Sequence, residues 1–356
     1  MRAGTFCVPQ PQTSTQELSR RAGAKLPASD PCSSHSIQTR FCFETHLNSK
    51  EGNRGMMRHL TTEVAGIETF YRQSGPDDAP ILLLPHGYPG SSFVYRHLLT
   101  ALSDRWRVIA PDLPGFGYSA TPDPAEFGYT FDDYAEFLSH FVERLELESY
   151  AIWLHDYGSQ FGLRLAMNAP DRVAGLIIQN GDIYEDAFGP KYDGLRELWA
   201  NPGPESRRGI AAHVSLDGFR DEFAGGLPQH VADRIPPDLW TLHWSLMGTP
   251  ERIANLVRLL EDQPKTLRWF ERQQAYLREH QPPTLIVWGR HDGYMPENSA
   301  HAYHRDHPNA ELHLFDGGHW LLETHLDEVI PLVRDFLDRI QPPNRHGHGS
   351  SDRLAE

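Results

Sequence analysis

Tyr150-Ala151-Ile152-Trp153-Leu154, running straight into His155-Asp156-Tyr157-Gly158-Ser159, is the stretch that decides the fold. Five apolar residues in succession have the length of a buried strand, and Ser159 to Ala169 carries the spacing of a helix. A strand that gives way to a helix within so few residues must turn sharply. The turn exposes the side chain at its tip and directs the helix N-terminus at whatever sits there. Asp156 occupies that tip, and Gly158 stands where crowding leaves no room for a side chain.

Outward from this turn, short apolar runs alternate with amphipathic segments. The runs Ile81–Leu84, Val108–Ala110, Val173–Gln179, Thr284–Trp288 and Glu311–Phe315 predict further strands. Phe131–Leu145 and Leu326–Ile340 predict helices, the latter with Val329, Ile330, Val333, Phe336, Leu337 and Ile340 at helical spacing. This alternation predicts an α/β fold, a mostly parallel sheet flanked by helices. From 181 to 281 the strand rhythm stops and helical segments rich in Trp and Tyr follow, so this stretch reads as an inserted helical cap. The core is then 56–180 together with 282–340. Residues 1–55, rich in Ser, Gln, Pro and Arg, have no sustained apolar period and read as a disordered extension, and 341–356 read as a flexible tail.

Composition narrows the partners. A net charge of -15 argues against nucleic acid, whose polyphosphate needs a basic surface. The three cysteines, Cys7, Cys32 and Cys42, all precede the core, so neither a disulfide framework nor a cysteine metal site is expected in it. No apolar run approaches the roughly 20 residues needed to span a bilayer. With no secretory apolar stretch either, a cytoplasmic location is expected. No metal-ligand cluster, phosphate loop or cofactor motif occurs. The expected partners are a small-molecule substrate and water, with no cofactor.

Three further motifs flank the turn. Pro85-His86-Gly87-Tyr88-Pro89-Gly90 follows a strand, and its Tyr88 amide, with that of Tyr157, can form an oxyanion hole. Trp288-Gly289-Arg290-His291-Asp292 ends a late strand with an acid. Gly317-Gly318-His319-Trp320 follows the last strand with a histidine. With Ala110 to Ser119 (APDLPGFGYS), the order and spacing of these motifs resemble the α/β-hydrolase superfamily, in its epoxide hydrolase and haloalkane dehalogenase branch, over about 60 to 340. The resemblance implies Asp156 as nucleophile, His319 as general base and Asp292 as the acid that orients it. His155 and Asp112 also match the branch, where they look supportive.

An aspartate nucleophile suits attack on an sp3 carbon, because a carboxylate needs no base to become anionic. It forms an alkyl ester that His319 and water would then hydrolyse. The bland readings stand beside this. An Asp at a strand end is commonly a helix N-cap, a lone histidine is commonly on the surface, and cap aromatics are commonly packing. Asp182 in Asn180-Gly181-Asp182 is a second candidate for the triad acid. Candidate substrate-contacting residues are His155, Trp199, Tyr184, Tyr192 and Tyr276.

Epoxide opening calls for an acid, commonly two cap tyrosines in this branch, and halide departure calls for N–H donors. Tyr157 stands where dehalogenases usually carry Trp, and Tyr88 where some carry Asn. Glu261 and Asp262 fall where epoxide hydrolases place a second cap tyrosine. HGYPG favours epoxide hydrolysis, with dehalogenation as the alternative and a non-catalytic binding relative as the reading from another class. Lys50-Glu51-Gly52 can be encoded by a ribosome-binding-like AAGGAGG, with Met56-Met57 at a plausible distance. Translation starting there predicts that N-terminal sequencing of natively expressed protein finds Met56 or Met57. An intact product beginning at Met1 would refute this.

Overall fold

The structure, a computed structural model, describes residues 56–340; the expectations for 1–55 and 341–356 lie outside the described residues. Eight strands form one sheet: β1 (Arg58–Val64), β2 (Ile67–Ser74), β3 (Ile81–Leu83), β4 (Arg107–Pro111), β5 (Tyr150–His155), β6 (Val173–Gln179), β7 (Thr284–Gly289) and β8 (Glu311–Phe315). Their order is β1-β2-β4-β3-β5-β6-β7-β8. β1, β2 and β4 pair antiparallel, and every pairing from β4 through β3 to β8 is parallel. The six strands expected from apolar runs are all present, with ends within one residue of those expected. The β1–β2 hairpin was not anticipated, because β1 alternates half-buried and exposed residues along an edge and has no apolar run. A two-residue turn closes it, with both Ala65 and Gly66 at positive φ.

Parallel strands need covering on both faces, and alternate residues of one strand serve the two covers. Ile152 and Leu154 of β5 belong to one apolar core, and Ala151 and Trp153 belong to the other. On the first side pack α2 (Phe131–Arg144) and α3 (Tyr157–Asn168), preceded in the chain by α1 (Arg96–Leu102). α1 lies on the second side with Val329, Val333 and Phe336 of the last helix. α2 starts at a capping box in which Thr130 and Asp133 satisfy each other's backbone amides.

Between β6 and β7 every regular element is helical: α4 (Lys191–Ala200), α5 (Pro204–His213), α6 (Leu216–Ala224), α7 (Gln229–Ala232), α8 (Asp238–Met247), α9 (Pro250–Asp262) and α10 (Leu267–His280), with short 3-10 turns. The chain then returns through α11 (Glu297–Ala302), α12 (Leu321–Thr324) and α13 (Leu326–Ile340). Arg252 of α9 fastens the helical segment to the core by donating to the Thr121 hydroxyl and to the Gly117 and Ser119 carbonyls, at 2.7–2.8 Å. No helix among the described residues is long and apolar enough to cross a membrane.

Strand order also decides where a ligand can enter. From β3 the chain moves to β4 on one side, and β5 lies on the other side of β3, so the carboxyl ends of β3 and β5 flank a switch point where the connecting loops part. The loop after β3 is held by Asp112 at the end of β4. The fully buried Asp112 carboxylate accepts the Ser92 amide (2.7 Å), the Ser92 hydroxyl and the Tyr118 amide (2.8 Å), and lies 3.9 Å from the Arg72 guanidinium. Removing one partner of such a buried cluster leaves donors without acceptors, at roughly 3–5 kcal/mol. We therefore expect Asp112→Ala to lower the urea midpoint of unfolding by a corresponding amount, and an unchanged midpoint would show the cluster to be dispensable.

Candidate active site

Asp156 is the residue between β5 and α3, with φ 50° and ψ -135°. Positive φ in a side-chain-bearing residue costs about 1–3 kcal/mol and persists only where surroundings enforce it. Here its own N–H donates to the Asn180 carbonyl (3.2 Å), and its carbonyl accepts the Ser159 amide (3.0 Å) and hydroxyl (2.5 Å). Two glycines permit the approach. A Cβ on Gly87 would fall 2.0 Å from Asp156 Oδ1, and one on Gly158 would fall 2.2 Å from the Pro85 carbonyl oxygen.

The two oxygens of the Asp156 carboxylate have different neighbours. Oδ1 accepts the Tyr88 backbone N–H at 2.6 Å, and Oδ2 lies 3.4 Å from His319 Nε2. Tyr157 begins α3, so its amide is among the helix-start N–H groups without an intrahelical partner. His319 Nδ1 is 2.6 Å from Asp292 Oδ2. Asp292 is fixed in turn, its Oδ1 by the Tyr294 (2.8 Å) and Met295 (3.1 Å) amides and its Oδ2 by the Asn180 side-chain amide (3.0 Å). The structure thus brings Asp156, His319, Asp292 and the Tyr88 amide together.

His319 turns its Nδ1 to Asp292 and not to Asp182, the other candidate acid. Asp182 is buried with Oδ2 unpartnered, and its pKa is raised well above the ordinary value by burial first and then by the Asp292 and Asp156 charges. The useful residue of Asn180-Gly181-Asp182 is Asn180. Its side chain joins Asp292 to the end of β7, and its carbonyl holds the Asp156 amide.

His155 does not line the cavity beside Asp156. Its Nε2–H donates to the His319 carbonyl at 3.1 Å, and Gln179 donates to the same oxygen at 3.0 Å. Burial chiefly depresses His155 to about 3, so it stays neutral and acts as a strut for the His319 backbone. Tyr184 and Tyr276 are also corrected from substrate contacts to packing residues. The Tyr184 hydroxyl donates to Asp306 at 2.8 Å, while Tyr276 stacks on His280 of its own helix. Glu261 pairs with Arg207 and Asp262 caps α2 through the Phe131 amide, so neither carboxyl faces the site.

Of the aromatic candidates, Tyr192 and Trp199 do border the cavity that opens on Asp156 and Tyr157. Its adjoining part is lined by Tyr88, Glu222, Tyr294, Gln263 and His213. The buried Tyr88 hydroxyl has no partner, and the Tyr157 hydroxyl is committed to Gln263 Oε1 at 2.7 Å. Glu222 and Tyr294 were missed in the sequence. Tyr294 was within reach, two residues past Asp292. Glu222 carries a weaker signal: it lies three residues after Phe219 on an apolar helix face, where an acid is out of place.

Burial disfavours a charged His319, but the Asp292 and Asp156 carboxylates outweigh it and hold the imidazole up at about 10. Asp292 shows the reverse balance. Burial alone would raise it, yet His319 and the two backbone amides bring it below the ordinary range. No group of three or more His, Cys, Asp or Glu among the described residues is arranged to hold a metal ion.

A mostly parallel sheet with an acid on a strained strand-to-helix turn and a His–Asp pair on later loops defines an α/β hydrolase. Residues 80–326 match the family model described as alpha/beta hydrolase fold, and the chain belongs to that family. It is 32% identical over 281 residues to an uncharacterized hydrolase of Saccharomyces cerevisiae, spanning 76% of this chain and 94% of that protein. It is 26% identical over 287 residues to a cis-3-alkyl-4-alkyloxetan-2-one decarboxylase of Xanthomonas campestris, spanning 77% and 93%. Among solved structures it is similar to a haloalkane dehalogenase from Bradyrhizobium elkani, with TM-score 0.69, 22% identity, and coverage of 80% and 99%.

Because the folded-state value of His319 lies above the 6.5 of an unperturbed imidazole, its pairing adds stability that is fully present below about 6.5 and is lost as pH rises through about 10. Asp156→Asn removes one of the two anions responsible. An NMR titration of the His319 imidazole should then show its pKa fall toward 6.5, and an unmoved titration would mean that Asp156 does not hold it.

Proposed function

We propose that this hydrolase works through an ester on Asp156, and that the ester forms when an epoxide ring opens to give, after hydrolysis, a diol. The observation that carries the reading is the division of labour on one carboxylate of a cavity-lining residue: Oδ1 is clamped by the Tyr88 amide, and Oδ2 lies toward His319. Attack by Oδ2 on a ring carbon breaks the C–O bond. Water then adds to the Asp156 carbonyl carbon as His319 takes its proton, and the developing oxyanion falls to the Tyr88 amide and the start of α3. A preorganised donor of this kind contributes about 3 kcal/mol to the barrier. Asp292 holds the imidazole in the tautomer that this step requires.

Ester formation also readies the base. It cancels the charge on Asp156, one of the two anions that keep His319 protonated, and so moves the imidazole toward the neutral form. We read the helical segment 181–281 as a cap over the site, since Tyr192, Trp199, Glu222 and Gln263 all reach the cavity from it.

The choice of epoxide rests on the wall around Asp156, which is lined by the tyrosines Tyr88, Tyr192 and Tyr294. Phenols can protonate a departing oxygen. The similarity to an oxetan-2-one decarboxylase, a protein named for a strained cyclic C–O substrate, supports an oxygen leaving group. Dehalogenation is the second reading, favoured by the unpartnered indole N–H of Trp199 at the same cavity and by the likeness to a dehalogenase structure. Against it, Tyr157 spends its hydroxyl on Gln263 and offers no N–H at the position after the nucleophile.

His319→Gln should allow the ester to form and block its hydrolysis. Incubated with a panel of epoxides and haloalkanes, this variant should accumulate an adduct on Asp156, read by peptide mass spectrometry, with the epoxide mass and no released halide. A haloalkane adduct with halide release would replace the epoxide reading, and no adduct with any compound would favour a binding protein or another hydrolytic substrate.

A further inference from the structure

α6 is aimed at the cavity by both loops that carry the site. Phe219 packs edge-on against Tyr88, with ring centroids 5.9 Å apart, and Phe223 lies over Trp320, the residue after His319, at 4.4 Å. The Trp320 indole N–H also donates to the Glu222 backbone carbonyl at 2.9 Å. Between these two contacts the Glu222 side chain enters the cavity that Asp156 also lines, and its Oε1 meets the Tyr294 hydroxyl at 2.7 Å. The charge of Asp156 opposes ionisation of Glu222, and its ammonium neighbour Lys191 is shared with Asp221 at 3.0 Å.

We infer that Glu222 and Tyr294 form a proton-donating pair for an oxygen leaving group, which makes strained cyclic ethers such as epoxides, and not alkyl halides, the substrate class of this site. The inference rests on Asp156 acting as the nucleophile. With Glu222 ionised, the phenol donates to it and has no hydrogen to spare. With Glu222 protonated, the carboxyl donates to the phenolic oxygen, and the phenol hydrogen turns to the cavity. Asp156 Oδ2 then attacks carbon as the C–O bond breaks; the departing oxygen takes the Tyr294 proton, and Glu222 replaces it. After hydrolysis, the proton released when Asp156 returns to its carboxylate form restores Glu222. The sum is epoxide plus water giving diol, with nothing left over. Halide departure needs no such proton, and an acid at this position would repel the anion when ionised.

Glu222 acts through Tyr294 and is a positioning residue in this scheme. The groups around it agree with the role. Burial raises it first; Lys191, the Tyr294 bond and His319 draw it down while Asp156 raises it, and the balance is about 7. The Tyr88 and Tyr157 hydroxyls and His213 of α5 border the same space. The protonated fraction therefore falls as pH rises through about 7, and acid-assisted ring opening should fall with it.

The test follows single-turnover labelling of Asp156 in the full chain carrying His319→Gln, with styrene oxide and 1-bromobutane, across the neutral range. For styrene oxide the rate should decline on the alkaline side as Glu222 loses its proton. Adding Glu222→Gln should lower the rate on the acid side by roughly 10²-fold and abolish the decline. Tyr294→Phe should lower it similarly, Glu222→Asp should recover part of the pH dependence, and the loss should be at least about tenfold greater for styrene oxide than for 1-bromobutane. Equal losses for the two electrophiles, or a decline that persists in Glu222→Gln, would overturn the inference. Failure of both electrophiles to label Asp156 while Glu222 is intact would instead overturn the nucleophile reading, and this inference with it.

Discussion

The conformation of Asp156 is the constraint on which the rest of the structure depends. A side chain held at φ 50° at the end of a fully buried strand has to be gripped from all sides, and each grip belongs to a different element. The β3 loop supplies the Tyr88 amide, the end of β6 supplies the Asn180 carbonyl, and α3 supplies Ser159. Gly87 and Gly158 are there because backbone and carboxylate approach too closely for a Cβ. The strain is repaid in position: the carboxylate stands clear of its own backbone at the switch point between β3 and β5, against the start of a helix.

Around that point three carboxyl groups besides Asp156 come to different protonation behaviour through their neighbours. Asp292 has a histidine and two amides and is held low; Asp182 has burial and other acids and is pushed up; Glu222 sits between, near 7. Asp156 is set apart by geometry, with one oxygen tethered by the Tyr88 amide and the other 3.4 Å from His319 Nε2. Pairs of titratable groups driven apart by their surroundings are how one site can hold a nucleophile and an acid at the same pH. His319 answers to two of these carboxyl groups, the Asp292 and Asp156 carboxylates, which together hold its imidazole up.

The helical segment between β6 and β7 contributes in the same physical terms. Several of its contacts with the core fall at the motif loops: Arg252 on the loop after β4, His243 on Ser91 at 3.0 Å, and Trp320 on the backbone of α6. The side chains it sends into the cavity are therefore registered against the same loops that position Asp156 and His319.

The sequence by itself determined the parallel core and the place of Asp156 on a strand-to-helix turn, because both depend on local chemistry. Apolar runs must be buried, a strand followed at once by a helix must turn, and only Gly fits where that turn meets another loop. The β1–β2 hairpin escaped because an edge strand with one wet face has no apolar run to betray it. Tertiary structure decided which acid meets His319: Asp292 and Asp182 both follow strand ends, and it is Asp292 that lies 2.6 Å from His319 Nδ1. It also sorted the aromatics, sending Tyr184 to Asp306 and Tyr276 to His280 while bringing Tyr88, Tyr192 and Tyr294 to one cavity. Glu222 became meaningful only there. An acid on a helix face has an ordinary reading until the face it looks at, and the charge already standing on it, are known.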